Sequence, residues 1–331
     1  MTPAEEKQIK VLNETLAKEI QIKCLRNEHK QSHPIQQFCD HLSQLVPKIR
    51  LKKETGDPDD MPGIHIHDRL SYQAVPSGTE IGPFIDALQL IAEDNAQIDE
   101  DIAPQLKAIA LPTHLVLYVA AQCSFCPQAV RQILPLVIAN RHIHLTVVDA
   151  MSFPELAEKD NLQSVPTLIL EDQFRWTGSF QTNEIIEVMV KRDPSALGPQ
   201  SLEMLLKEGK AGQLAEMMLE KAQIFPAFYE LLIHQKWPVR LGAMVVMDEL
   251  IEKNLNLALQ TVESLWREFD NADDRVKGDL LYIFGEMAQK DFVPRLEAIL
   301  RGQYDSELKE AAEEALDKIK ATTDGDQNLN R

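Results

Sequence analysis

The sequence predicts an α/β region over its first 195 residues and an all-α region after it, and three observations carry that prediction. Up to about residue 195, short β-branched or apolar runs alternate with amphipathic stretches, as strands and helices do when they follow one another. Arg192-Asp-Pro-Ser-Ala-Leu-Gly-Pro199 then reads as a proline- and glycine-bearing linker. Beyond it the strand signal vanishes, and residues 201–320 carry apolar positions at helical spacing between short polar breaks. Glycine is scarce, at 13 of 331 residues, and the 18 prolines fall mostly between periodic segments, so helix is expected to dominate.

Taken in order, Glu19–Cys24 reads as a strand, Pro34–Leu45 as a helix and Ile49–Lys52 as a second strand. Met61-Pro62 then precedes the alternating strand Gly63–His67, and Gly78 precedes the helix Phe84–Ile91. The same order returns more clearly over residues 106–190. Thr113–Ala120 is a strand, Cys123-Ser-Phe-Cys126-Pro127 opens a helix, and His144–Asp149 is the next strand, followed by a helix. Val165-Pro166-Thr167 leads a strand that ends at Glu171, and a turn at Gly178, a strand and a helix follow. If Pro34 is matched to Pro127, Lys30 and His33 fall where Cys123 and Cys126 stand, so the first copy is a degenerate mate without the thiols. The expected organisation is one unit at 1–105 and a second at 106–195, each with its own mixed sheet.

The C-terminal half repeats as well. Pro238-Val-Arg-Leu-Gly-Ala243, Arg275-Val-Lys-Gly-Asp-Leu280 and Glu307-Leu-Lys-Glu-Ala-Ala312 share an aliphatic residue, a basic residue, two variable positions and a small or apolar one. Their spacings of 37 and 32 residues suit a helix-pair solenoid over 200–321, in which each pair buries a face against its neighbour. Met217, Met218, Met244 and Met247 read as its core, and the polar stretch 322–331 as a flexible tail.

Composition narrows the function classes. The net charge of −18 argues against a nucleic-acid partner, because phosphate binding needs clustered Lys and Arg. Each side of the 195/196 boundary carries −9 (27 acidic and 18 basic residues, then 25 and 16), so the acidity is solvating surface and singles out no partner. No apolar run approaches the roughly 18–20 residues that span a bilayer, so no membrane partner is expected. The start, MTPAEEKQIK, has no apolar core and does not read as a signal peptide. Four cysteines in so long a chain are no disulfide framework, and the expected compartment is a reducing cytoplasm.

Cys123 and Cys126 carry the predicted chemistry. A thiolate at a helix N-terminus is stabilised by unpaired N–H groups and the positive end of the helix dipole. The first cysteine can attack a disulfide, and the second, one turn along, can reach back to resolve the mixed disulfide. Pro127 suits the first turn, where a missing N–H costs little, and Ser124 and Phe125 bring no charge. About 40 residues on, Val165-Pro166, with the proline expected in cis, offers backbone for an extended substrate strand beside the thiols, with Phe125 as a further contact.

A strand, a Cys-x-x-Cys-Pro helix start, a strand, Val-Pro-Thr, a strand, a glycine turn, a strand and a helix together resemble the thioredoxin superfamily. The doubled arrangement, over roughly residues 10–192 and including Met61-Pro62 and Gly78, looks like the N-terminal domain of the flavoprotein subunit of alkyl hydroperoxide reductase. It is similar, more distantly, to the two-unit protein disulfide oxidoreductases, and the C-terminal half looks like HEAT repeats. The resemblance implies a dithiol that passes electrons from an external reductase to a protein disulfide, a peroxiredoxin-like partner among the candidates. The sequence contains no G-x-G-x-x-G, so no flavin or nucleotide cofactor is expected and the electron donor does not carry over. Leu117 stands where many thioredoxins keep a buried acid, so another group or water must handle the resolving proton.

Blander readings cover the remaining residues. Cys24 and Cys39 read as small buried hydrophobes, since a metal site would need four converging ligands. His65 with His67, and His142 with His144, alternate along strands without an accompanying cluster and read as surface or satisfied histidines. Trp176 and Phe180 read as packing around Gly178, and Lys30 and His33 as relics. The expected function is therefore a protein thiol–disulfide oxidoreductase with a helical docking region. The competing reading is a redox-sensing or structural scaffold without turnover.

Overall fold

The computed structural model describes residues 1–58 and 60–329, and the chain divides into two compact units, Met1–Arg192 and Asp193–Arg331. The first unit opens with the helices α1 (Pro3–Lys10) and α2 (Leu12–Thr15), and Thr2 with Glu5 forms a reciprocal capping box at the start of α1. Then come β1 (Ile20–Arg26), α3 (Ser32–Leu45), β2 (Ile49–Thr55), β3 (Gly63–His67), β4 (Leu70–Gln73) and α4 (Ile81–Glu93). After α5 (Ala103–Lys107) the second run is β5 (Thr113–Val119), α6 (Cys126–Ala139), β6 (Ile143–Asp149), α7 (Pro154–Lys159), β7 (Thr167–Leu170), β8 (Phe174–Thr177) and α8 (Thr182–Lys191).

The eight strands form one sheet in the order β2-β1-β3-β4-β6-β5-β7-β8. Each half has the same pattern. A parallel pair (β1 with β2, β5 with β6) is followed by two antiparallel neighbours (β3 and β4, β7 and β8). The expectation of two separate sheets is corrected by β4, which runs parallel to β6 with Leu70 opposite Leu145 and Gln73 opposite Val148. Ser71 Oγ donates to Thr146 Oγ1 across this seam at 3.1 Å. The physical reason is that each half would otherwise present an unpaired strand edge, and joining them satisfies both. β7, one strand in from the β8 edge, has all four residues buried, while β4 and β6 at the centre mix buried and half-buried residues. Helices α3 and α4 cover the first half and α6 covers the second, with Ile35, Phe38, Phe84, Val130 and Ile133 fully or almost fully inside.

Two local expectations change. The turn between β7 and β8 is Glu171–Gln173, with Glu171 and Asp172 in the left-handed region, and Gly178 comes after β8 instead of before it. Arg192, read as the start of a loose linker, is an anchor instead. Its guanidinium meets the Glu171 carboxylate at 2.9 Å with both side chains buried, and it also donates to the Pro112 carbonyl. The Glu171 carboxylate also accepts from the His114 N–H at 3.0 Å, so this buried pair has the additional hydrogen bonds such a pair needs.

In the second unit every described element is helical: α9 (Pro199–Lys207), α10 (Ala211–Lys221), α11 (Phe228–Leu232), α12 (Trp237–Ala258), α13 (Val262–Phe269), α14 (Asp274–Met287), α15 (Val293–Arg301) and α16 (Ser306–Leu329). The three repeated sequences lie on the first turns of α12, α14 and α16, with Val239, Val276 and Leu308 buried. Asp273 caps α14 through the Val276 N–H at 2.9 Å, and Asp305 accepts from the Leu308 N–H at 2.7 Å. Arg240, 2% exposed, bonds Asp279 of α14 at 2.6 Å and thereby ties one repeated helix to the next. Met218 and Met247 are fully buried, while Met217 and Met244 are half-buried. The backbone of α16 runs over most of the segment read as a flexible tail, and Asn330 and Arg331 lie outside the described residues.

Candidate redox site

The loop after β5 carries Cys123, and Cys126 is the first residue of α6. The two are joined as a disulfide with Cα atoms 5.5 Å apart. Cys126 is completely buried and Cys123 half-buried, so only the first sulfur faces outward. The Cys126 N–H, one of the unpaired donors at the helix start, points at Cys123 Sγ from 3.1 Å. That contact would hold a thiolate there once the disulfide is reduced. The Val165 carbonyl oxygen lies 3.8 Å from the same sulfur, and the Val165–Pro166 peptide is cis. The segment is pinned on its far side, where the Gly178 N–H donates to the Pro166 carbonyl at 2.8 Å and Thr167 Oγ1 to the Ser164 carbonyl at 2.8 Å. Phe125, between the thiols, is 72% exposed. Beside it, Gln128, Arg131, Gln132 and Gly178–Gln181 line an open groove of about 440 Å³. Phe180 packs inward at 6% exposure, while Gln132 Nε2 donates to its carbonyl and to Thr182 Oγ1.

The first half of the sheet reaches into this site through a 3-10 turn, Gly78–Glu80. Thr79 donates its N–H to the Ala121 carbonyl at 3.0 Å, and its hydroxyl bonds the carbonyls of Ala121 and Cys123, each at 3.0 Å. Gly78 has φ +57°, and a Cβ there would sit 2.5 Å from the Ala121 oxygen, so only glycine allows the turn this close to the thiol loop. The next residue is the one that sequence reasoning missed. Glu80 is 5% exposed, and neither carboxylate oxygen has a hydrogen-bond partner among the described residues. Burial pushes its carboxyl up to about 7; Arg131 pulls the other way and Asp149 adds to the rise. Glu80 lines a small cavity of about 10 Å³ with Tyr72, Val119, Ala121 and Asp149, near the lower limit for one water. Leu117 is fully buried on β5 and offers no acid, as its identity required. The one sequence signal was an acid directly after Gly78-Thr79, in the half without the Cys-x-x-Cys motif.

The matched positions of the first half, Lys30 and His33, are both exposed. Lys30 sits 3.6 Å from Glu155, while His29 bonds Glu155 at 2.9 Å and stacks on Phe153 with ring centroids 5.3 Å apart. His33 is exposed at the start of α3. Cys24 and Cys39 are both fully buried. His65 and His67 lie on β3 and His144 on β6, with His142 just ahead of that strand. Among the described residues no group of three or more His, Cys, Asp or Glu is arranged to hold a metal ion, and no helix is long and apolar enough to cross a membrane.

A family model described as a thioredoxin domain matches residues 115–191, a span that holds Cys123, Cys126, Val165 and Pro166 but not Glu80. "NADH dehydrogenase" from Bacillus subtilis is 22% identical over 176 residues, 52% of this chain and 34% of that protein. The alkyl hydroperoxide reductase protein AhpF of Pseudomonas aeruginosa is 23% identical over 185 residues, 54% of this chain and 35% of that protein. The chain thus spans about a third of the length of the curated relatives it matches. Among solved structures, the NTD_N/C domain of alkyl hydroperoxide reductase AhpF from Enterococcus faecalis aligns over 57% of this chain and 99% of its own, with a TM-score of 0.50 at 21% identity. A protein disulfide oxidoreductase from Aeropyrum pernix aligns over 57% of this chain and 92% of its own, with a TM-score of 0.51 at 14% identity. The N-terminal half therefore has the thioredoxin-like fold of these proteins.

Proposed function

We propose that the protein is a thiol–disulfide oxidoreductase that reduces a protein disulfide through Cys123 and Cys126. The observation that carries this reading is the asymmetry of the pair: a half-exposed sulfur that receives a helix-start N–H, and a resolving sulfur fully buried behind it. In the reduced protein the Cys123 thiolate attacks one sulfur of the substrate disulfide. That S–S bond breaks, one substrate thiolate leaves, and Cys123 is held in a mixed disulfide. Cys126 then loses its proton and attacks the Cys123 sulfur, which releases the second substrate thiol and regenerates the Cys123–Cys126 disulfide. Glu80 receives the Cys126 proton, a role supported by its burial behind the thiol loop and a carboxyl poised near 7. Val165 and Pro166 form the backbone platform for an extended substrate segment, and Phe125 covers its apolar side chains. An external reductase returns two electrons.

The same reading assigns residues 1–105 and 106–195 to two thioredoxin-like units, the second with the CxxC, and residues 200–321 to HEAT-like repeats that dock a protein partner. The repeated helix starts of α12, α14 and α16 support the repeats. Similarity to the alkyl hydroperoxide reductase protein AhpF supports a peroxiredoxin-like partner, and a reducing cytoplasm suits the direction of electron flow. The test is a substrate trap. Cys126→Ser accumulates a stoichiometric mixed disulfide with its partner in cell extract, and Cys123→Ser accumulates none. A trap that captures nothing, or a dithiol that cannot be oxidised between about −300 and −100 mV, overturns the reading in favour of a scaffold without turnover.

A further inference from the structure

We propose that Cys24 and Cys39 are a second redox pair, which closes to a disulfide between β1 and α3 inside the half of the sheet that lacks the CxxC. The two thiols meet because of how that half is built. Along β1 the residues Ile20, Ile22 and Cys24 alternate onto one buried face. Helix α3 lays Ile35, Phe38, Cys39 and Leu42 into the same core. Cys24 and Cys39 are both 0% exposed, and each thiol is the largest electrostatic influence on the other.

Polar contacts around the pair fix the same alignment independently. Asp40, the residue after Cys39, is 2.7 Å from Lys53, and Lys53 is the direct β2 partner of Cys24. One turn earlier on α3, Gln36 accepts from Arg26 at 3.1 Å, two residues beyond Cys24 on β1. The helix is therefore held over the strand at the level of the two sulfurs. Charge makes them unequal. Cys39, with Arg26 and Lys53, lowers the Cys24 thiol against burial and Asp40, whereas Cys39 is pushed towards the neutral thiol by Cys24 and by burial.

The chemistry balances with a small-molecule disulfide of the glutathione type as oxidant. Cys24 as thiolate attacks one sulfur of that disulfide, whose S–S bond breaks to release one small thiol. Cys39 loses its proton and attacks the Cys24 sulfur of the mixed disulfide, which releases the second small thiol. Two protein thiols are oxidised to one disulfide, and one small disulfide is reduced to two thiols. Since neither sulfur reaches solvent, exchange proceeds when α3 lifts from the sheet or before it docks during folding.

The experiment uses the full chain. Reduced, unfolded protein is refolded in glutathione buffers of graded oxidation, quenched with acid, alkylated in denaturant and digested, and the peptides are mapped by mass. The expected result is a peptide pair linked through Cys24 and Cys39, approaching one per chain at the most oxidising ratio and still formed when Cys123 and Cys126 are both changed to Ser. Its formation raises the thermal midpoint, a shift absent from both Cys24→Ala and Cys39→Val. Recovery of Cys24 and Cys39 as alkylated thiols, or as separate glutathione adducts, at a ratio that fully oxidises Cys123 and Cys126 overturns the proposal. The Cys123–Cys126 peptide in the same map reports the fate of the redox site separately.

Discussion

The two halves of the sheet share one strand pattern and differ in what stands at the start of the first long helix. In the second half, α6 begins on Cys126 with an exposed Phe125 before it and an open groove beside it. In the first, the matching loop carries Lys30 and His33, both exposed, and its neighbour His29 is stacked on Phe153 and bonded to Glu155. The first half carries no cysteine at these positions, but Gly78 and Thr79 reach the thiol loop from it and Glu80 is buried directly after them, whereas β5 offers only Leu117. Under the proposed function the two halves share one site, with sulfur chemistry in one and proton handling in the other.

The largest effect expected from breaking this division is at the thiols. Cys123→Ser should abolish disulfide reduction in a turnover assay, whereas Lys30→Ala at the matched position of the first half should leave kcat unchanged. Activity lost equally in both would mean that the halves are not divided in this way.

Glu80→Gln is next. General acid–base help is worth roughly 10²–10⁴-fold, so a loss of about 10²-fold in the resolution step is expected above pH 7. The wild-type rate should rise as Glu80 ionises through about pH 7, and the Gln variant should lack that rise. Stability runs the opposite way. The carboxyl is raised from 4.5 to about 7, so between those values the folded protein binds more protons than the unfolded chain. Stability must therefore fall as pH climbs through that window, by at most about 3 kcal/mol, and denaturant melts at pH 5 and pH 8 would show the drop in wild type but not in Glu80→Gln.

Gly78→Ala sharpens the comparison differently, because it disturbs the thiol loop from the other half. A left-handed residue with its Cβ against the Ala121 carbonyl should cost about 1–3 kcal/mol, read by melts, and should shift the Cys123–Cys126 reduction potential. The smallest effect is expected for Phe125→Ala, a several-fold rise in KM for a protein disulfide with the dithiol midpoint unchanged.

Much of this was legible in the sequence where local pattern decides structure. Gly63–His67 alternates cleanly and is β3 to the residue, and the Cys-x-x-Cys-Pro run lies at a helix start as its chemistry requires. β4 escaped notice because Leu-Ser-Tyr-Gln is too short to show a period. The seam it makes with β6 pairs residues about 75 positions apart, which no local pattern encodes. Gly178 marked a turn, but the sharper reversal at Glu171–Gln173 is made by two residues without glycine's freedom. Glu80 was hidden for a related reason: only tertiary folding shows that an ordinary surface-type residue is buried beside a thiol loop more than forty positions away.

The β4–β6 seam also governs how the molecule can be taken apart. A fragment starting after residue 105 would keep both thiols and the whole thioredoxin-domain match, and so look self-sufficient on paper. It would leave β6 as a bare parallel edge with Leu145 and Val147 beside it, open to pairing with a second fragment, and would leave behind the segment that props the thiol loop from below. A fragment that keeps the thiol loop in this setting has to carry β4 and the Gly78–Glu80 turn along with the second half.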